Sequence, residues 1–249
     1  MVFPSFQIRT DTDELMDDFS ITDERLTEAL EQLRWVNRLL GGYSTTMAIL
    51  APFLQSRAGQ VTRILDLGTG IADFPEYIVR WAEAQSVDIP IEITAVDANP
   101  ATIDYAQQTL EKRLNDRQRA KISLEVADAL ALPYADHAFD IGMGAMFLHH
   151  FAQPKAIAIV KDLQRVSQHG IIINDLHRHP LAYAGIYSLT RLLPAAPMVR
   201  HDGPLSVLRG FRANDLTTIA EGAGLTDFSL RWYFPFRWLL STVRRERSK

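Results

Sequence analysis

The chain of 249 residues contains no cysteine. It therefore lacks a thiolate nucleophile, a cysteine-ligated zinc or iron–sulfur centre, and any structural disulfide. It also has little uninterrupted apolar sequence: its most apolar stretch, residues 181–199, contains Arg191, Pro194 and Pro197. A membrane span needs roughly 20 predominantly apolar residues, so we expect none.

An excess of positive charge is missing as well. The 26 Lys and Arg residues face 30 Asp and Glu, and the formal net charge is -4. Such a chain has no overall attraction for a phosphate backbone, which makes nucleic acid a disfavoured partner. The first 20 residues are acidic where a secretory signal would be basic and then apolar. We therefore expect a cytoplasmic protein; its oligomeric state is left open.

What the sequence does contain is an alternation of strand-like and helix-like segments. Short β-branched and apolar runs predict strands, and segments of helical period lie between most of them. This alternation predicts an α/β fold in which helices cover both faces of a mostly parallel sheet. The predicted strands are ILDL at 64–67, IEITAVD at 91–97, ISLEVAD at 122–128, AFDIGMG at 138–144 and GIIIND at 170–175.

Three aspartates fall at the carboxyl ends of the first three strands. Asp66, Asp97 and Asp128 are evenly spaced, since 97 minus 66 and 128 minus 97 are both 31. In an open parallel sheet, ligands bind outside these strand ends. Gly68 and Gly70 follow the first strand, where a missing side chain lets a ligand approach the backbone. Any single one of these aspartates is equally well explained as a helix cap, but the joint pattern predicts a binding site.

The charge of this site favours a cationic ligand over a dinucleotide. A pyrophosphate would need donors and positive potential at the helix start, yet Asp66 and Asp73 flank the glycines. S-adenosyl-L-methionine carries an ammonium and a sulfonium group, which acidic side chains complement. Asp97 could then accept hydrogen bonds from ribose hydroxyls, and Asp128 one from the adenine amino group.

Four sequence segments resemble the successive motifs of the class I S-adenosylmethionine-dependent methyltransferases, within residues 62–176: ILDLGTG, AVDANP, EVADALALPYADHAFD and GMGAMFLHHF. The last two resemble bacterial small-molecule enzymes of that class. The resemblance implies a Rossmann-like seven-stranded sheet, with cofactor contacts from Asp66, Gly68, Thr69, Gly70, Asp97, Ala98, Asp128, Ala129, Gly144 and Met146.

The same resemblance implies two additions to the sheet domain. Residues 1–57 would form an N-terminal helical lid, with a helix over Asp23 to Leu40, and residues 58–249 the cofactor-binding domain. Residues 181–210 would form a cap insertion after the fifth strand. Tyr183 and Tyr187 in this cap would help wall an apolar acceptor pocket, although such an apolar stripe is more often ordinary core.

Three histidines are candidates for catalysis. His149 and His150 follow the fourth strand, and a histidine there could deprotonate an acceptor near neutral pH. His201, beside Asp202 in the string RHDGP, could reach the site from a turn in the cap, or could merely shape that turn. Arg178, in a polar cluster after the fifth strand, could bind an acceptor carboxylate. Packed or solvated polar residues explain these groups about as well.

The sequence therefore predicts methyl transfer from S-adenosyl-L-methionine to a small, largely apolar or aromatic acceptor, with oxygen as the favoured target. No metal is expected, because Gly144 stands where a catechol-type enzyme would carry an acid after the fourth strand. Two alternatives remain open: a non-catalytic cofactor-binding protein, and a nicotinamide-dependent oxidoreductase.

Overall fold

A computed structural model describes residues 4–244 of the chain. Its strands are β1 Thr62–Leu67, β2 Ile91–Asp97, β3 Ile122–Val126, β4 Ile141–Ala145, β5 Ile171–Leu176, β6 Ser229–Tyr233 and β7 Arg237–Ser241. Its helices are α1 Glu24–Leu39, α2 Gly42–Ser56, α3 Asp73–Glu83, α4 Pro100–Arg113, α5 Asp116–Arg119, α6 Gln153–Val166, α7 Pro180–Leu192, α8 Pro197–Arg209 and α9 Ala213–Gly222.

The strands form one seven-stranded sheet in the order β3-β2-β1-β4-β5-β7-β6. β1 to β5 run parallel, and β7 pairs antiparallel with both β5 and β6. The order reverses direction between β1 and β4, which is where an open α/β sheet opens a crevice for ligands. The predicted Rossmann-like, mostly parallel sheet is confirmed.

Two apolar layers bury the sheet. Residues of α6 and α9 pack on one side, among them Ile159, Leu163 and Ile219. Residues of α2 and α3 form the core cluster that includes Leu50 and Ile78. The central strands β1, β4 and β5 are buried on both faces because their side chains are apolar at most positions, as the continuous run of Ile171, Ile172 and Ile173 shows.

The helix α2 is tied to the end of β5 by one buried side chain. Asn174 donates from Nδ2 to the carbonyl of Gly42 at 2.7 Å and to the hydroxyl of Thr46 at 3.1 Å. Gly41, between α1 and α2, adopts a positive φ of 70°. Thus α2 is fixed to the sheet, while α1 joins it through a glycine in the left-handed region.

The expectation of a turn at RHDGP is wrong. Residues 201–204 lie inside α8, and Gly203 serves helix packing: a Cβ there would stand 3.0 Å from Cγ1 of Ile186 on α7. Pro197 occupies the first turn of α8, where proline is well tolerated. The segment after β5 is therefore a pair of packed helices.

Between residues 4 and 244, no helix is both long and apolar enough to cross a membrane. The ends of the predicted ranges 1–57 and 58–249 lie outside the described residues.

Candidate active site

A cavity of about 240 Å³ opens beside the carboxyl ends of β1, β2 and β4. One side carries the acidic strand ends, and the other carries the histidines that follow β4. Its walls include Glu14, Met16, Asp17, Phe19, Leu30, Leu33, Arg34, Tyr43, Asp66, Gly68, Thr69, Gly70, Asp73, Asp97, Ala98, Met146, Phe147, His149, His150 and Phe151. The N-terminal segment and α1 thus contribute directly to the cavity.

The turn between β1 and α3 brings backbone rather than side chains to the cavity. Gly68 and Gly70 have φ values of 64° and 55°, in the left-handed region that favours glycine. A Cβ on Gly68 would overlap the ring of Phe147, whereas one on Gly70 would find only Leu30, 3.9 Å away. Both glycines are therefore required by backbone conformation, and Gly68 also by the aromatic ring above it.

Asp66, the residue before the last in β1, is buried next to this turn. Burial raises its pKa to about 7, although the hydroxyl of Thr69 donates to Oδ2 at 2.8 Å and partly offsets the increase. Nearby Asp73 and Asp97 raise the pKa of Asp66 further. Burial also raises the pKa values of those two aspartates. One buried and two partly buried acids, all with raised pKa values, form a site that a positively charged ligand would stabilise.

Asp97 has unused acceptor capacity. Its Oδ2 accepts from the amide of Gly70 at 3.1 Å, and its Oδ1 from the amide of Asn99 at 3.0 Å. Each carboxylate oxygen has two lone pairs, so each retains one for the hydroxyls of a ribose. The acidic rim and the open backbone turn fit the nucleoside and amino-acid portions of S-adenosylmethionine.

On the opposite wall, His149 is held by Asp175 from the end of β5. His149 Nδ1 lies 2.7 Å from Asp175 Oδ1, and its amide donates to Oδ2 at 3.1 Å. Burial would raise the pKa of Asp175, but His149 outweighs that effect and lowers it. Asp175 therefore accepts the hydrogen bond from Nδ1 of His149, and Nε2 of His149 makes no hydrogen bond with the described residues.

His150 is oriented in the same way by the N-terminal segment. Its Nδ1 lies 2.7 Å from Asp17 Oδ1. Burial would raise the pKa of Asp17, but the contacts with His150, the backbone of Glu14 and Arg209 together outweigh it, and the pKa falls to about 2. The two imidazole rings lie close together, with centroids 4.3 Å apart. Each ring is therefore fixed through Nδ1 by its own carboxylate.

Glu14 completes this wall. Its Oε1 lies 3.7 Å from Nε2 of His149, and its Oε2 accepts from the hydroxyl of Ser206 at 2.9 Å. Burial raises the pKa of Glu14 to about 7. One ligand-type atom from each of Glu14, His149 and His150 lies within 4.8 Å of the other two. We refer to these three residues as the Glu14 cluster.

Two arginines, one buried and one partly buried, attach the N-terminal segment to the loop after β4. Arg209 on α8 donates to the carbonyl of His149 at 3.2 Å, to that of His150, and to Asp17 Oδ2 at 2.8 Å. Arg9 donates to the carbonyls of His149 and Phe151 at 2.7 and 2.9 Å. These bonds connect residues 59 to 192 positions apart in the chain and hold the N-terminal segment, with its acidic side chains, against the cavity.

The cavity brings together most of the predicted cofactor contacts and two of the three predicted catalytic histidines. Asp128 is exposed and accepts from the amide of Leu130 at 2.9 Å, as in a local turn. It does not line the cavity, nor do its neighbour Ala129 and Gly144, which is buried in β4.

The predicted acceptor contacts also lie away from the cavity. Arg178 is buried and pairs with Asp215 at 3.0 Å, donating as well to the carbonyl of Gly210 at 2.5 Å. Tyr183 and Tyr187 stack on each other along α7, with centroids 5.9 Å apart. His201 is exposed on α8 and contacts Asp202. Structural contacts thus occupy all four side chains.

Sequence reasoning missed Glu14, Asp17 and Arg209. Their acidic and basic character was visible, but neither spacing nor periodicity related the N-terminal acids to the histidines. Tyr43, whose hydroxyl donates to Asp73, was missed for the same reason.

Residues 64–170 match a family described as a methyltransferase domain. A methyltransferase from Aquifex aeolicus, described as S-adenosylmethionine dependent, has 16% sequence identity and a TM-score of 0.57, and the alignment covers 85% of this chain and 95% of that one. A magnesium protoporphyrin IX methyltransferase from Synechocystis with bound SAH also has 16% sequence identity and a TM-score of 0.57. That alignment covers 90% of this chain and 98% of the other. No curated protein sequence matches the chain.

Proposed function

We propose that this chain is a class I S-adenosylmethionine-dependent methyltransferase that methylates an oxygen atom of a small, largely apolar or aromatic acceptor in the cytoplasm. The observation that supports this proposal most directly is the pairing of His149 with Asp175 in the wall of the cofactor cavity. In this proposal, Nε2 of His149 would accept the proton of a hydroxyl bound in the cavity.

The lining near the histidines supports an apolar acceptor. Met16, Phe19, Leu33, Phe147 and Phe151 contribute apolar surface to the cavity. An aromatic or aliphatic body would be buried there, and burial of apolar area contributes roughly 25 cal/mol per Å². The residues that position the acceptor would therefore come from the N-terminal segment, α1 and the loop after β4.

The acidic wall would hold the cofactor. Asp97 would accept from the ribose hydroxyls, and Asp66 would lie toward the amino-acid portion, its charge balanced by the ligand. When bound, the cofactor supplies a methyl group activated by its sulfonium. The acceptor oxygen forms the new bond to the methyl carbon, the carbon–sulfur bond breaks, and sulfur keeps the bonding electron pair.

The chain's remaining task is to orient the acceptor and remove its proton. Methyl transfer is an in-line displacement, so holding the oxygen in line supplies much of the acceleration. The proton leaves at the histidine end of the cavity. Asp175 fixes the tautomer in which Nε2 of His149 faces away from β5, and its removal would leave the imidazole free to adopt the wrong tautomer.

The test is methyl transfer from S-adenosylmethionine to a panel of phenols, hydroxyquinones and aromatic carboxylic acids, with aromatic amines and carbon acids included. We expect product from at least one phenolic compound, and His149→Gln and Asp175→Asn should each lower kcat by about 10²- to 10⁴-fold while cofactor affinity stays unchanged. His169→Gln, a histidine far from the cavity, is the control. Transfer only to amines or carbon acids would contradict the oxygen assignment.

A further inference from the structure

We propose that Glu14, His149 and His150 form a binding site for one divalent first-row transition-metal ion at the acceptor end of the cavity. The sequence predicts no metal, and the comparisons assign none. The Glu14 cluster consists of two imidazoles and one carboxylate, a donor set that suits zinc, manganese, iron(II) or cobalt and leaves coordination positions open.

The donor atoms are already close together. One ligand-type atom from each residue lies within 4.8 Å of the other two, and Glu14 Oε1 is 3.7 Å from His149 Nε2. Ligands about 2.0–2.2 Å from a tetrahedral ion stand about 3.4 Å apart. Small side-chain rotations would therefore bring the cluster to coordinating distances without moving β4 or β5.

Each imidazole is held as metal-binding histidines usually are. His149 donates through Nδ1 to Asp175, and His150 through Nδ1 to Asp17, both at 2.7 Å. A carboxylate on the far nitrogen fixes the tautomer and makes the other nitrogen a better ligand. Two adjacent histidines with this support both leave Nε2 unused by the protein.

The carboxylate of the cluster has an unsatisfied oxygen. Glu14 is 5% exposed, and its Oε1 has no hydrogen-bond partner among residues 4–244. The nearest cation, Nε of Arg209, is 3.8 Å away and already donates to the carbonyl of His149. A buried polar atom without a partner is rare and costs free energy, so an additional ligand is expected at this point.

The metal site would add a second component to the proposed methyl transfer. Its part in catalysis rests on the proposed function, because it requires that the acceptor carry a hydroxyl group. An ion held by the cluster would face the site of the acceptor hydroxyl and supply Lewis acidity there. His149 would then act as a ligand, and the hydroxyl would lose its proton to solvent because its pKa falls. Metal binding itself can be measured without any acceptor.

The experiment is a titration of chelator-treated full-length protein with cobalt(II) chloride, followed by visible absorption and calorimetry. We expect one cobalt ion per chain with the spectrum of mixed nitrogen and oxygen ligation. Glu14→Gln and His150→Gln should each weaken binding more than tenfold, and Asp17→Asn about 10- to 100-fold. Glu83→Gln and His169→Gln, which change an exposed acid and a distant histidine, should not alter it.

Thermal unfolding provides a second measurement, since an ion that binds only the folded chain raises Tm. Cobalt should raise Tm for the original sequence and not for Glu14→Gln. If Glu14→Gln does not fold, the same measurement is made on His150→Gln. The side chain of His150 is partly exposed, so its replacement should disturb folding less. The metal-site proposal would be wrong if the folded variants of the Glu14 cluster bound cobalt as tightly as the original sequence. It would also be wrong if neither bound cobalt.

The two proposals fail separately. Full methylation activity after chelation, with no cobalt bound, would reject the metal site and leave the proposed function intact. Specific cobalt binding without methylation of any oxygen acceptor would reject the function and leave the metal site.

Discussion

The two walls of the cavity are built in opposite ways. The acidic wall comes from the ends of consecutive strands, where Asp66, the glycine turn and Asp97 lie within about 30 residues of one another. The histidine wall joins residues 149 and 150 to an N-terminal segment held in place by Arg209. The acidic wall is formed by residues close together in the chain, so the sequence of that segment predicts it. The histidine wall is formed by residues far apart in the chain, and it depends on a few long-range hydrogen bonds.

The largest expected effect tests that dependence. Arg209→Met should destabilise the protein by about 3–5 kcal/mol, because it removes the arginine that donates to the carbonyls of Thr12 and His150 and that pairs with the carboxylate of Asp17. Urea unfolding monitored by circular dichroism measures it. Arg200→Met, an exposed arginine on the same helix, should stay within about 0.5 kcal/mol. Equal effects of the two variants would show that the segment is held by other contacts.

The acidic wall should be most sensitive at Gly68. Gly68→Ala and Gly59→Ala both place a side chain at positive φ, which costs about 1–2 kcal/mol. Only the first also overlaps Phe147, which adds about 1–3 kcal/mol and displaces the ring. We expect calorimetry to show cofactor binding lost in Gly68→Ala and retained in Gly59→Ala. Binding retained in both would mean that Phe147 moves without narrowing the cavity.

Asp97 should have a smaller and more specific effect. Asp97→Ala should weaken cofactor binding by about 1–3 kcal/mol, the usual cost of losing a buried acceptor. Asp104→Ala, an exposed acid on α4, serves as the matched control. Unchanged affinity in Asp97→Ala would remove this residue from the ribose role.

The pH dependence at Asp66 should have the smallest effect. With a pKa of about 7, the carboxylate is mostly charged at pH 8 and mostly protonated at pH 6, so affinity for the cationic cofactor should fall about tenfold between these values. The ligand-free protein should change in the other direction. An acid whose pKa rises on folding favours the folded state at low pH, so this contribution to stability falls as pH rises from about 4 to 7.

Calorimetry at the two pH values, with Asp66→Asn for comparison, measures this dependence. The variant should bind weakly at both values and lose the pH dependence. An affinity of the original sequence that stays constant from pH 6 to 8 would contradict the assignment of Asp66 to the charged end of the ligand.

The contrast between the walls also explains what the sequence could reveal. The parallel strands and the crevice at their ends follow from local apolar patterns, as the run from Ile171 to Ile173 illustrates. The helices α7 and α8 were harder to foresee, because Pro194, Pro197 and Pro204 indicate breaks. Pro197 instead begins α8, and Gly203 packs against Ile186, a tertiary contact that no local pattern contains.

The same holds for the site residues. His149 was visible beside a strand end, but its partner Glu14 was not, because the contact exists only once Arg209 has joined the N-terminal segment to α8. Arg178 was expected to face an acceptor because it follows β5, yet its charge is used to pair with Asp215. A charged residue at a strand end shows where a ligand could bind, but not which partner the folded chain supplies.

The link between Asn174 and α2 has a consequence for how ligands enter and leave. Since two buried hydrogen bonds anchor the start of α2 to the sheet, that helix cannot swing outward without leaving the amide of Asn174 unpaired. If α1 moves when ligands exchange, we expect the backbone to change direction at Gly41, because glycine tolerates a wide range of backbone angles. We expect α1 to rotate about that residue while α2 and the sheet keep their positions.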